Sequence, residues 1–508
     1  MVVKCNSVGL FGMDGYMVEV EADVSSGMAA FDIVGLPDAA VRESRDRVRT
    51  AMHNCGFGFP VSRITVNLAP ADIKKAGPLY DLPILVAIMK ATAQIGTDIS
   101  DSAFLGELSL SGEIRSVCGV LPMAIKAKEA GIKKLFVPFE DSAQGAVVEG
   151  IDIYPVRDVP QLIAHLQGRS LIEKAQAPKE VVSTGFIPDF SQVKGQYEVK
   201  RAMEVAAAGG HNILLIGPPG SGKSMLAKRL PSILPDMTFE ERIDASKIHS
   251  IAGLLQKGQS LISERPFRNP HHTVSAVGLS GGGTIPRPGE VSLAHNGVLF
   301  LDELPEFSRT ALEVLRQPME DGKVTVSRVH STVSYPCSVM LVAAMNPCPC
   351  GYFEHPKKKC TCSENSIHKY LSKVSGPLLD RIDIHVEVPA VEYDDLTDYN
   401  EAESSAKIRE RVNKARQIQL NRFKGTSVTC NARITADVFR KACVTDDGAQ
   451  EILRKAFDKL GLSARAYDRV LKVSRTIADL EGSEIIRADH VLEAVQYRAL
   501  DKKYWSRG

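Results

Sequence analysis

The residues with the clearest chemical signature in this chain are 213–224, which read Ile-Leu-Leu-Ile-Gly-Pro-Pro-Gly-Ser-Gly-Lys-Ser. The apolar run at the start predicts a short buried strand, and residues 225–230 continue at helical spacing. The glycine-rich turn between them fits the pattern G-x-x-x-x-G-K-[ST], whose backbone N–H groups close around phosphate oxygens at a helix N-terminus. The alternative is an ordinary strand–turn–helix whose glycines match the pattern by chance.

This turn, the phosphate loop, has residue types suited to a nucleoside triphosphate and its metal ion. The ammonium group of Lys223 can reach the β- and γ-phosphates, and the hydroxyl group of Ser224 can hold Mg²⁺. The sequence therefore predicts a site for ATP and Mg²⁺. The predicted nucleotide contacts are Gly217, Pro218, Pro219, Gly220, Ser221, Gly222, Lys223, Ser224 and Met225.

Two adjacent carboxylates follow a second apolar run, Val298-Leu-Phe-Leu-Asp-Glu303. Hydrolysis of the β–γ phosphoanhydride bond of a nucleoside triphosphate needs groups that hold the metal ion and orient the attacking water. We therefore assign Asp302 to Mg²⁺, directly or through water, and Glu303 to polarising the attacking water. Four apolar residues before Asp-Glu are common at strand ends, so this assignment depends on the phosphate loop upstream.

Four cysteines stand in two close pairs, Cys348-Pro-Cys350 and Cys360-Thr-Cys362. Four thiolates match the ligand set of a closed, tetrahedral structural Zn²⁺ site, although the C-x-C spacing is tighter than in most zinc fingers. Lysines 357–359, between the two cysteine pairs, would offset the negative charge of the thiolates and could also touch DNA. Two disulfides or a redox-sensitive cluster are the alternatives.

The composition is that of a soluble globular protein, with 508 residues of which 44% are apolar and 24% charged. The net charge of +1 neither favours nor excludes a nucleic-acid partner, because basic residues can be concentrated on one surface. Residues 1–15 lack the features of a signal peptide, and no apolar run approaches the roughly 18 residues that span a membrane. We expect a cytoplasmic protein without membrane contact.

Changes in the sequence pattern predict three domains and one linker. Residues 1–170 are predicted to form an α/β domain, because apolar residues alternate at positions 16–24 as they do in a half-buried strand. Residues 171–189 are mixed polar with two prolines, which suits a linker. Residues 190–390 are predicted to form an α/β ATPase core with a parallel sheet, and residues 391–508 a helical lid.

The first domain resembles the Lon-protease-like domain, of the ribosomal S5 domain 2-like fold, found in magnesium-chelatase-like ATPases. The resemblance rests on the segments Phe31-Asp-Ile-Val-Gly-Leu-Pro37, Gly77-Pro-Leu-Tyr-Asp-Leu-Pro83 and Gly106-Glu-Leu-Ser-Leu-Ser-Gly-Glu113. A Ser–Lys peptidase needs a serine activated by a lysine. Leu79 stands at the position of the nucleophile and Pro122 at the position of the lysine, so we expect the domain to be proteolytically inactive.

From residue 190 onward, the order of motifs resembles the AAA+ class of ATPases. In these proteins a Val-x-Gly-Gln segment lies against the adenine, and the resemblance assigns that contact to Val193 and Gly195. Asn346 follows an apolar strand at 338–345 and matches the first sensor, which hydrogen-bonds the attacking water or the γ-phosphate.

Two arginines extend this resemblance. Arg381, in Ser375-Gly-Pro-Leu-Leu-Asp-Arg381, corresponds to an arginine that reaches the γ-phosphate held by the neighbouring subunit of a ring. The alternative is a salt bridge within the chain, to Asp380 or Asp383. Arg465, at the start of a predicted helix, resembles the second sensor. Arg469, one turn later, is the alternative candidate for that role.

Two further segments contain the predicted DNA contacts. A β-hairpin is predicted from Lys323 to Tyr335, and replicative-helicase relatives track DNA with a hairpin at this position. The resemblance assigns phosphate contacts to Lys323, Arg328 and His330, and the alternative is a solvated edge hairpin. Residues 265–293, which include Arg268, are predicted to form an insert that either enters a central pore or covers the nucleotide.

Taken together, these motifs resemble the YifB/ComM family of magnesium-chelatase-like AAA+ ATPases over nearly the whole chain. The resemblance implies a hexameric, ATP-driven helicase that binds single-stranded or branched DNA. It would promote branch migration during recombination of incoming DNA in natural transformation (competence). Two alternatives remain: a chelatase motor subunit that remodels a partner enzyme, and an ATP-dependent peptidase, which Leu79 and Pro122 disfavour.

Overall fold

A computed structural model describes residues 2–176, 188–283, 286–328, 331–390 and 402–505. The chain divides into two compact units. The first unit holds the N-terminal residues together with two later segments, Arg242–Ser263 and Ser327–Tyr335, and the second unit holds the remainder. Both units combine helices with β-sheets, so the predicted α/β class is confirmed.

The first unit contains a seven-stranded mixed sheet. Its strands are β1 (Val3–Phe11), β2 (Asp14–Ser25), β3 (Ala30–Val34), β4 (Arg63–Ala69), β5 (Ser102–Phe104), β8 (Lys134–Pro138) and β9 (Asp152–Val156), and a separate pair is β6 (Glu107–Leu108) with β7 (Ile114–Arg115). The order in the large sheet is β3-β4-β2-β1-β5-β8-β9. In β2 the alternation predicted from the sequence is observed, because Val18, Val20 and Ala22 are buried while the residues between them are partly exposed.

Helices pack against this sheet. They are Ala39–Asn54, Asp81–Ala91, Val120–Glu129, Ser142–Ala146 and Val159–Leu166. In Asp81–Ala91, residues 81–89 are all buried, as expected for a helix that is apolar on every side. Its buried first residue, Asp81, accepts two hydrogen bonds from Arg47, at 2.6 Å from Nε and 3.0 Å from Nη2. The ion pair compensates for the burial of the carboxylate.

The two positions that decide the peptidase alternative lie in ordered parts of the first unit. Leu79 is in the short 3₁₀ turn Pro78–Tyr80, and Pro122 is in the helix Val120–Glu129. Both side chains are buried. Neither side chain carries a nucleophile or a titratable proton, so these two positions offer no peptidase chemistry.

The segment Arg242–Ser263, which includes most of the helix Phe239–Ile251, packs within the first unit. The backbone oxygen of Ser250 accepts a hydrogen bond from Gly119 N–H at 3.0 Å, and its hydroxyl group donates to Gln144 at 2.6 Å. Lys257 forms an ion pair with Glu140 at 2.8 Å. These residues fall inside the range 190–390 that the sequence assigns to the ATPase core, so the structural division differs from the predicted one.

The second unit contains a five-stranded parallel sheet. Its strands are β10 (Ile213–Ile216), β11 (Phe267–Arg268), β14 (Val298–Leu301), β17 (Met340–Met345) and β18 (Ile384–Glu387), in the order β11-β14-β17-β10-β18. Two smaller pairs are β12 (Gly281–Gly282) with β13 (Arg287–Pro288), and β15 (Lys323–Arg328) with β16 (Ser331–Pro336). Every residue of β10, β14 and β17 is buried, as expected for central parallel strands.

The helices of the second unit include a C-terminal helical region, as predicted. Before it lie Tyr197–Gly209, Lys223–Arg229, Ala276–Ser280, Glu290–Leu293, Arg309–Glu313, Arg316–Asp321, Glu364–Leu371 and Gly376–Leu379. The C-terminal helices are Ser405–Arg422, Ala436–Ala442, Asp447–Leu460, Ala464–Leu480, Ala488–Gln496 and Ala499–Trp505. Residues 177–187 of the predicted linker and residues 391–401 of the predicted lid lie outside the described residues.

No helix in the described ranges combines the length and the apolar character needed to cross a membrane.

Candidate functional site

The sheet of the second unit brings the predicted hydrolytic residues together at one edge. Strands β10, β17 and β14 are parallel neighbours, so the residues that follow their carboxyl ends meet there, where parallel α/β sheets bind ligands. The phosphate loop follows β10, Asn346 follows β17 and Asp302 follows β14. Residues far apart in sequence therefore form one site.

Two hydrogen bonds link the phosphate loop to the neighbouring strands. The hydroxyl group of Ser224 donates to Oδ2 of Asp302 at 2.6 Å, and the Nζ atom of Lys223 donates to Oδ1 of Asn346 at 3.1 Å. A hydroxyl oxygen and a carboxylate oxygen side by side suit Mg²⁺, which prefers oxygen ligands. These two oxygen ligands fit a magnesium ion held between the ends of β10 and β14.

Lys223 is folded back into its own loop. Its Nζ atom donates to the carbonyl oxygens of Gly217 at 2.8 Å and Pro218 at 2.9 Å. Burial lowers the pKa of Lys223, while the carboxylates of Asp302 and Glu303 act in the opposite direction. The ammonium group thus lies inside the loop, where it is held by hydrogen bonds to carbonyl oxygens. The oxygens of a bound phosphate could replace these carbonyl oxygens as its partners.

The carboxylate of Glu303 has a different partner from that of Asp302. Its backbone has φ of 52°, in the left-handed region that non-glycine residues seldom adopt, and its side chain is 60% exposed. Its Oε2 atom lies 3.7 Å from Nδ1 of His272, while Asp302 faces Ser224. The carboxylate of Asp302 therefore faces the metal position, while that of Glu303 is open to solvent, where a water molecule can approach.

His272 is a site residue that the sequence alone does not identify. The pair His271-His272 lies in the predicted insert, and nothing in its local pattern indicates the distant Glu303 as a neighbour. The ring of His272 also packs edge-on against Phe307, with centroids 6.5 Å apart. The insert therefore reaches the edge of the sheet at which Glu303 lies.

The residues predicted to contact adenine lie before the helix Tyr197–Gly209. Val193 is buried in the core of the second unit, and its carbonyl oxygen accepts a hydrogen bond from Lys200. Gly195 has φ of 59°. The following residue, Gln196, donates from Nε2 to the Ser221 carbonyl oxygen at 2.8 Å, which connects this segment directly to the phosphate loop.

Arg381 lies at the opposite edge of the same sheet. Asn212, just before β10, donates from Nδ2 to the backbone oxygen of Arg381 at 2.8 Å, which places Arg381 near the amino end of β18. A four-residue strand spans roughly 13 Å at about 3.3 Å per residue. The body of the sheet therefore separates Arg381 from the phosphate loop of its own chain.

Arg381 is buried and forms an ion pair with Glu320, on the helix Arg316–Asp321. Its partner is therefore not Asp380 or Asp383, the two residues considered from the sequence. The hydrogen bond from Arg381 is the largest cause of the lowered pKa of Glu320, and the charge of Arg465 lowers it further. Arg381 and Arg465 thus share one acidic neighbour.

Arg465 is exposed in the first turn of the helix Ala464–Leu480. Arg469, the alternative candidate for the second sensor, is paired with Asp383, whose carboxylate also contacts His211 and accepts a hydrogen bond from the Asn212 N–H. Burial opposes ionisation of Asp383, but Arg469 and His211 together hold the pKa of its carboxyl well below the usual range. Arg469 therefore has a structural partner, and Arg465 is the more accessible of the two arginines.

The predicted DNA contacts are described only in part. Lys323 is exposed at the start of β15. The side chain of Arg328 and the whole of His330 lie outside the described residues. Arg268 forms a two-point ion pair with Glu290, at 2.7 and 2.9 Å, so a phosphate contact by Arg268 would have to replace this pair.

The four clustered cysteines, all within the described ranges, form no disulfide and converge on one point. Sγ of Cys348 lies 3.4 Å from that of Cys350 and 3.8 Å from that of Cys360, and Cys350 and Cys360 are 3.6 Å apart. A tetrahedral zinc ion with Zn–S bonds of about 2.3 Å separates its sulfur ligands by about 3.8 Å. The sulfur positions therefore fit a Zn²⁺ ion.

The cysteine cluster is next to the phosphate loop. Gly351, which follows the first cysteine pair, has φ of 81°, and a Cβ atom built on it would lie 2.3 Å from Cδ of Pro219. The backbone of the cluster therefore packs directly on the phosphate loop. Cys348 is also only two residues after Asn346, so this loop borders the site on two sides.

Three family models, which together match most of the chain, define the class of this protein: it is a magnesium-chelatase-like AAA+ ATPase. The family model "Magnesium chelatase, subunit ChlI" matches residues 189–396, "Subunit ChlI of Mg-chelatase" matches 20–141, and "Magnesium chelatase, subunit ChlI C-terminal" matches 402–498. The chain is 41% identical over 500 residues to competence protein ComM of Haemophilus influenzae, covering 96% of each chain.

A second relative is equally similar. The uncharacterized protein YifB of Escherichia coli is 41% identical over 493 residues, covering 97% of this chain and 96% of YifB. The chain belongs to the YifB/ComM family of magnesium-chelatase-like proteins. Lon protease 2 of Bacillus subtilis is 26% identical over 178 residues, covering 31% of this chain, in agreement with the predicted Lon-like domain.

Proposed function

We propose that the protein is an ATP-hydrolysing motor that assembles as a hexameric ring and moves on DNA, promoting branch migration during recombination and natural transformation. The observation that supports a ring is that the predicted hydrolytic residues lie at two opposite edges of one sheet. Lys223, Ser224, Asp302 and Asn346 lie at the carboxyl edge, and Arg381 lies at the amino edge. Arg381 can complete a hydrolytic site only in another copy, which a head-to-tail ring provides.

In this mechanism each side chain has one task. The phosphate loop and Lys223 bind the β- and γ-phosphates, and Ser224 with Asp302 holds Mg²⁺, which neutralises phosphate charge when bound. Glu303 polarises the attacking water, and Asn346 orients that water or the γ-phosphate. Arg381 of the adjacent copy, together with Arg465 as the second sensor, stabilises the charge that develops on the transferred phosphoryl group.

The DNA partner is supported by the relative named a competence protein and by the exposed lysine at the start of the hairpin. The test measures the rate of ATP hydrolysis without DNA, with single-stranded DNA, and with forked and four-way DNA. We expect severalfold stimulation by DNA and binding that weakens as salt rises. Absence of stimulation together with absence of binding at low salt would refute the DNA role.

Lys323→Glu should reduce the stimulation by DNA while leaving the DNA-independent rate unchanged. Lys459→Glu is a matched control, because it makes the same charge change at an exposed helical position distant in sequence from the hairpin. Equal effects of both substitutions would show that the hairpin has no particular part in DNA binding. The family descriptions also support a chelatase motor subunit, for which DNA would leave the hydrolysis rate unchanged.

The cysteine cluster is proposed to hold one structural zinc ion per chain, with Cys348, Cys350, Cys360 and Cys362 as ligands. We expect about one zinc per purified chain by elemental analysis, and a loss of most of it in Cys360→Ser. Because Gly351 packs on Pro219, loss of the metal should also weaken ATP binding. Cys118→Ser, at an exposed cysteine outside the cluster, should retain the full zinc content. A zinc-free wild-type protein would contradict the proposal.

A further inference from the structure

A small cavity lies at the amino edge of the parallel sheet, at the other end of the strands from the phosphate loop. Its wall includes Gly210 before β10, Gly297 before β14 and Val339 before β17. Its volume is about 50 Å³. Because a water molecule needs roughly 10–15 Å³ of such space, the cavity has room for about four waters or for one small polyatomic ion. Among the described residues that line it, none belongs to the nucleotide, zinc or DNA sites proposed above.

The charged residues in the described wall of this cavity are three arginines and one carboxylate: Arg265, Arg416, Arg433 and Glu241. The guanidinium group of Arg265 donates to both carboxylate oxygens of Glu241, at 2.8 Å from Nη2 and 3.4 Å from Nη1. The other hydrogen bonds of this guanidinium go to backbone carbonyl oxygens. Glu241 therefore balances the charge of Arg265, and the charges of Arg416 and Arg433 remain.

Arg416 and Arg433 have only neutral partners in the part of the chain that the structure describes. Nη1 of Arg416 donates to the carbonyl oxygen of Thr429 at 3.0 Å, and Nη2 of Arg433 donates to that of Val339 at 3.2 Å. Neither arginine forms an ion pair with a described residue. The Nε atom of Arg416 is buried and has no hydrogen-bond partner there. A buried donor of a charged group is costly when it has no acceptor, and most such groups in folded proteins are paired.

The positive charges around the cavity are close enough to affect one another. Burial lowers the pKa of Arg265, the carboxylate of Glu241 acts in the opposite direction, and the charge of Arg416 lowers the pKa further. Like charges at short range repel one another, and an anion between them removes this repulsion. Guanidinium groups also present planar N–H donors whose geometry matches the oxygens of phosphate.

We propose that this cavity binds one small tetrahedral oxyanion, inorganic phosphate or sulfate, through Arg416 and Arg433. A divalent anion would balance the two arginines that have no carboxylate partner among the described residues, and it would supply an acceptor for the buried Nε atom. Arg416 is on the helix Ser405–Arg422, so the ion would join the C-terminal helices to the amino edge of the sheet. A phosphate within DNA carries a sugar on each side, and a cavity with room for about one ion favours the free anion.

The test measures the binding of radiolabelled inorganic phosphate by equilibrium dialysis at constant ionic strength. The full chain with Lys223→Ala is used, because this substitution removes the phosphate contact of the phosphate loop. We expect about one bound phosphate per chain, displaced by sulfate. Adding Arg416→Ala or Arg433→Ala should weaken binding by about 10- to 100-fold, the range for loss of hydrogen bonds to a charged group. Arg416→Lys keeps the charge without the planar guanidinium group, so it should restore only part of the affinity.

Arg440→Ala is the matched control, since Arg440 is an exposed arginine on the helix Ala436–Ala442, and phosphate binding should be unchanged. Circular dichroism checks that each variant is folded, and Arg416→Lys tests the site if alanine prevents folding. Absence of bound phosphate in Lys223→Ala, or undiminished binding in the Arg416 and Arg433 variants, would overturn the proposal. Displacement of the phosphate by single-stranded DNA would assign these arginines to a nucleic-acid backbone and would overturn it as well.

Discussion

Glu303→Gln is expected to lower the rate of ATP hydrolysis by about 10²- to 10⁴-fold while ATP binding persists, which is the range for removal of a positioned general base. The carboxylate is exposed and lies 3.7 Å from Nδ1 of His272, so it has open space for a water molecule. Glutamine keeps the size of the side chain but cannot polarise water as a carboxylate does. Steady-state hydrolysis and equilibrium binding of ATP measure the two effects separately.

Glu306→Gln is the matched control for this experiment. Glu306 is a nearby, partly exposed glutamate whose partner is Lys373 at 3.5 Å. Its substitution makes the same chemical change without touching the phosphate loop or Asp302, so the hydrolysis rate should stay near that of the wild type. If Glu303→Gln hydrolysed ATP at the normal rate, the assignment of Glu303 as the water-polarising group would be incorrect.

Arg381→Ala is expected to reduce hydrolysis by about 10³-fold or more, the effect typical of an arginine that reaches the γ-phosphate from a second subunit. The physical reason is position: Arg381 is at the amino edge of the sheet and the phosphate loop is at the carboxyl edge. To act, Arg381 must exchange its ion pair with Glu320 for a phosphate oxygen on another copy.

Mixing two inactive variants tests this arrangement directly. Arg381→Ala retains its own phosphate loop and Glu303, and Glu303→Gln retains Arg381, so some interfaces in a mixed ring are complete. We expect the mixture to hydrolyse ATP well above either variant alone. Absence of recovery in assemblies shown to contain both variants would contradict action in trans. Arg309→Ala, at an exposed arginine on the helix Arg309–Glu313, should remain active.

Much of the site at the carboxyl edge of the sheet could be predicted from the sequence, because each of its parts is a local sequence pattern. Short apolar runs before Gly217, Asp302 and Asn346 indicate buried strands, and a polar residue directly after such a strand is placed at its carboxyl end whatever the rest of the fold does. The hydrogen bonds Ser224–Asp302 and Lys223–Asn346 join residues 78 and 123 positions apart, yet each member is identified by its own flanking strand.

Other features depend on contacts between segments with no shared pattern. The ion pair of Arg381 with Glu320 joins the turn after the helix Gly376–Leu379 to the helix Arg316–Asp321, while two aspartates much nearer in sequence remain outside this pair. The approach of His272 to Glu303 and the packing of Gly351 on Pro219 likewise depend on the path of long connections. Such pairings are set by the topology of the sheet, which local periodicity does not encode.

By itself, the sequence determined that this protein has a nucleotide-binding loop, an acidic pair and a four-cysteine cluster, because each is a short run of residue types with its own chemistry. Only the tertiary structure decided that the segment Arg242–Ser263 packs with the N-terminal unit, that Arg381 lies at the other end of the strands from its own phosphate loop, and that Gln196 bonds to that loop through Ser221. These depend on the order of parallel strands and on burial, which are properties of the assembled fold.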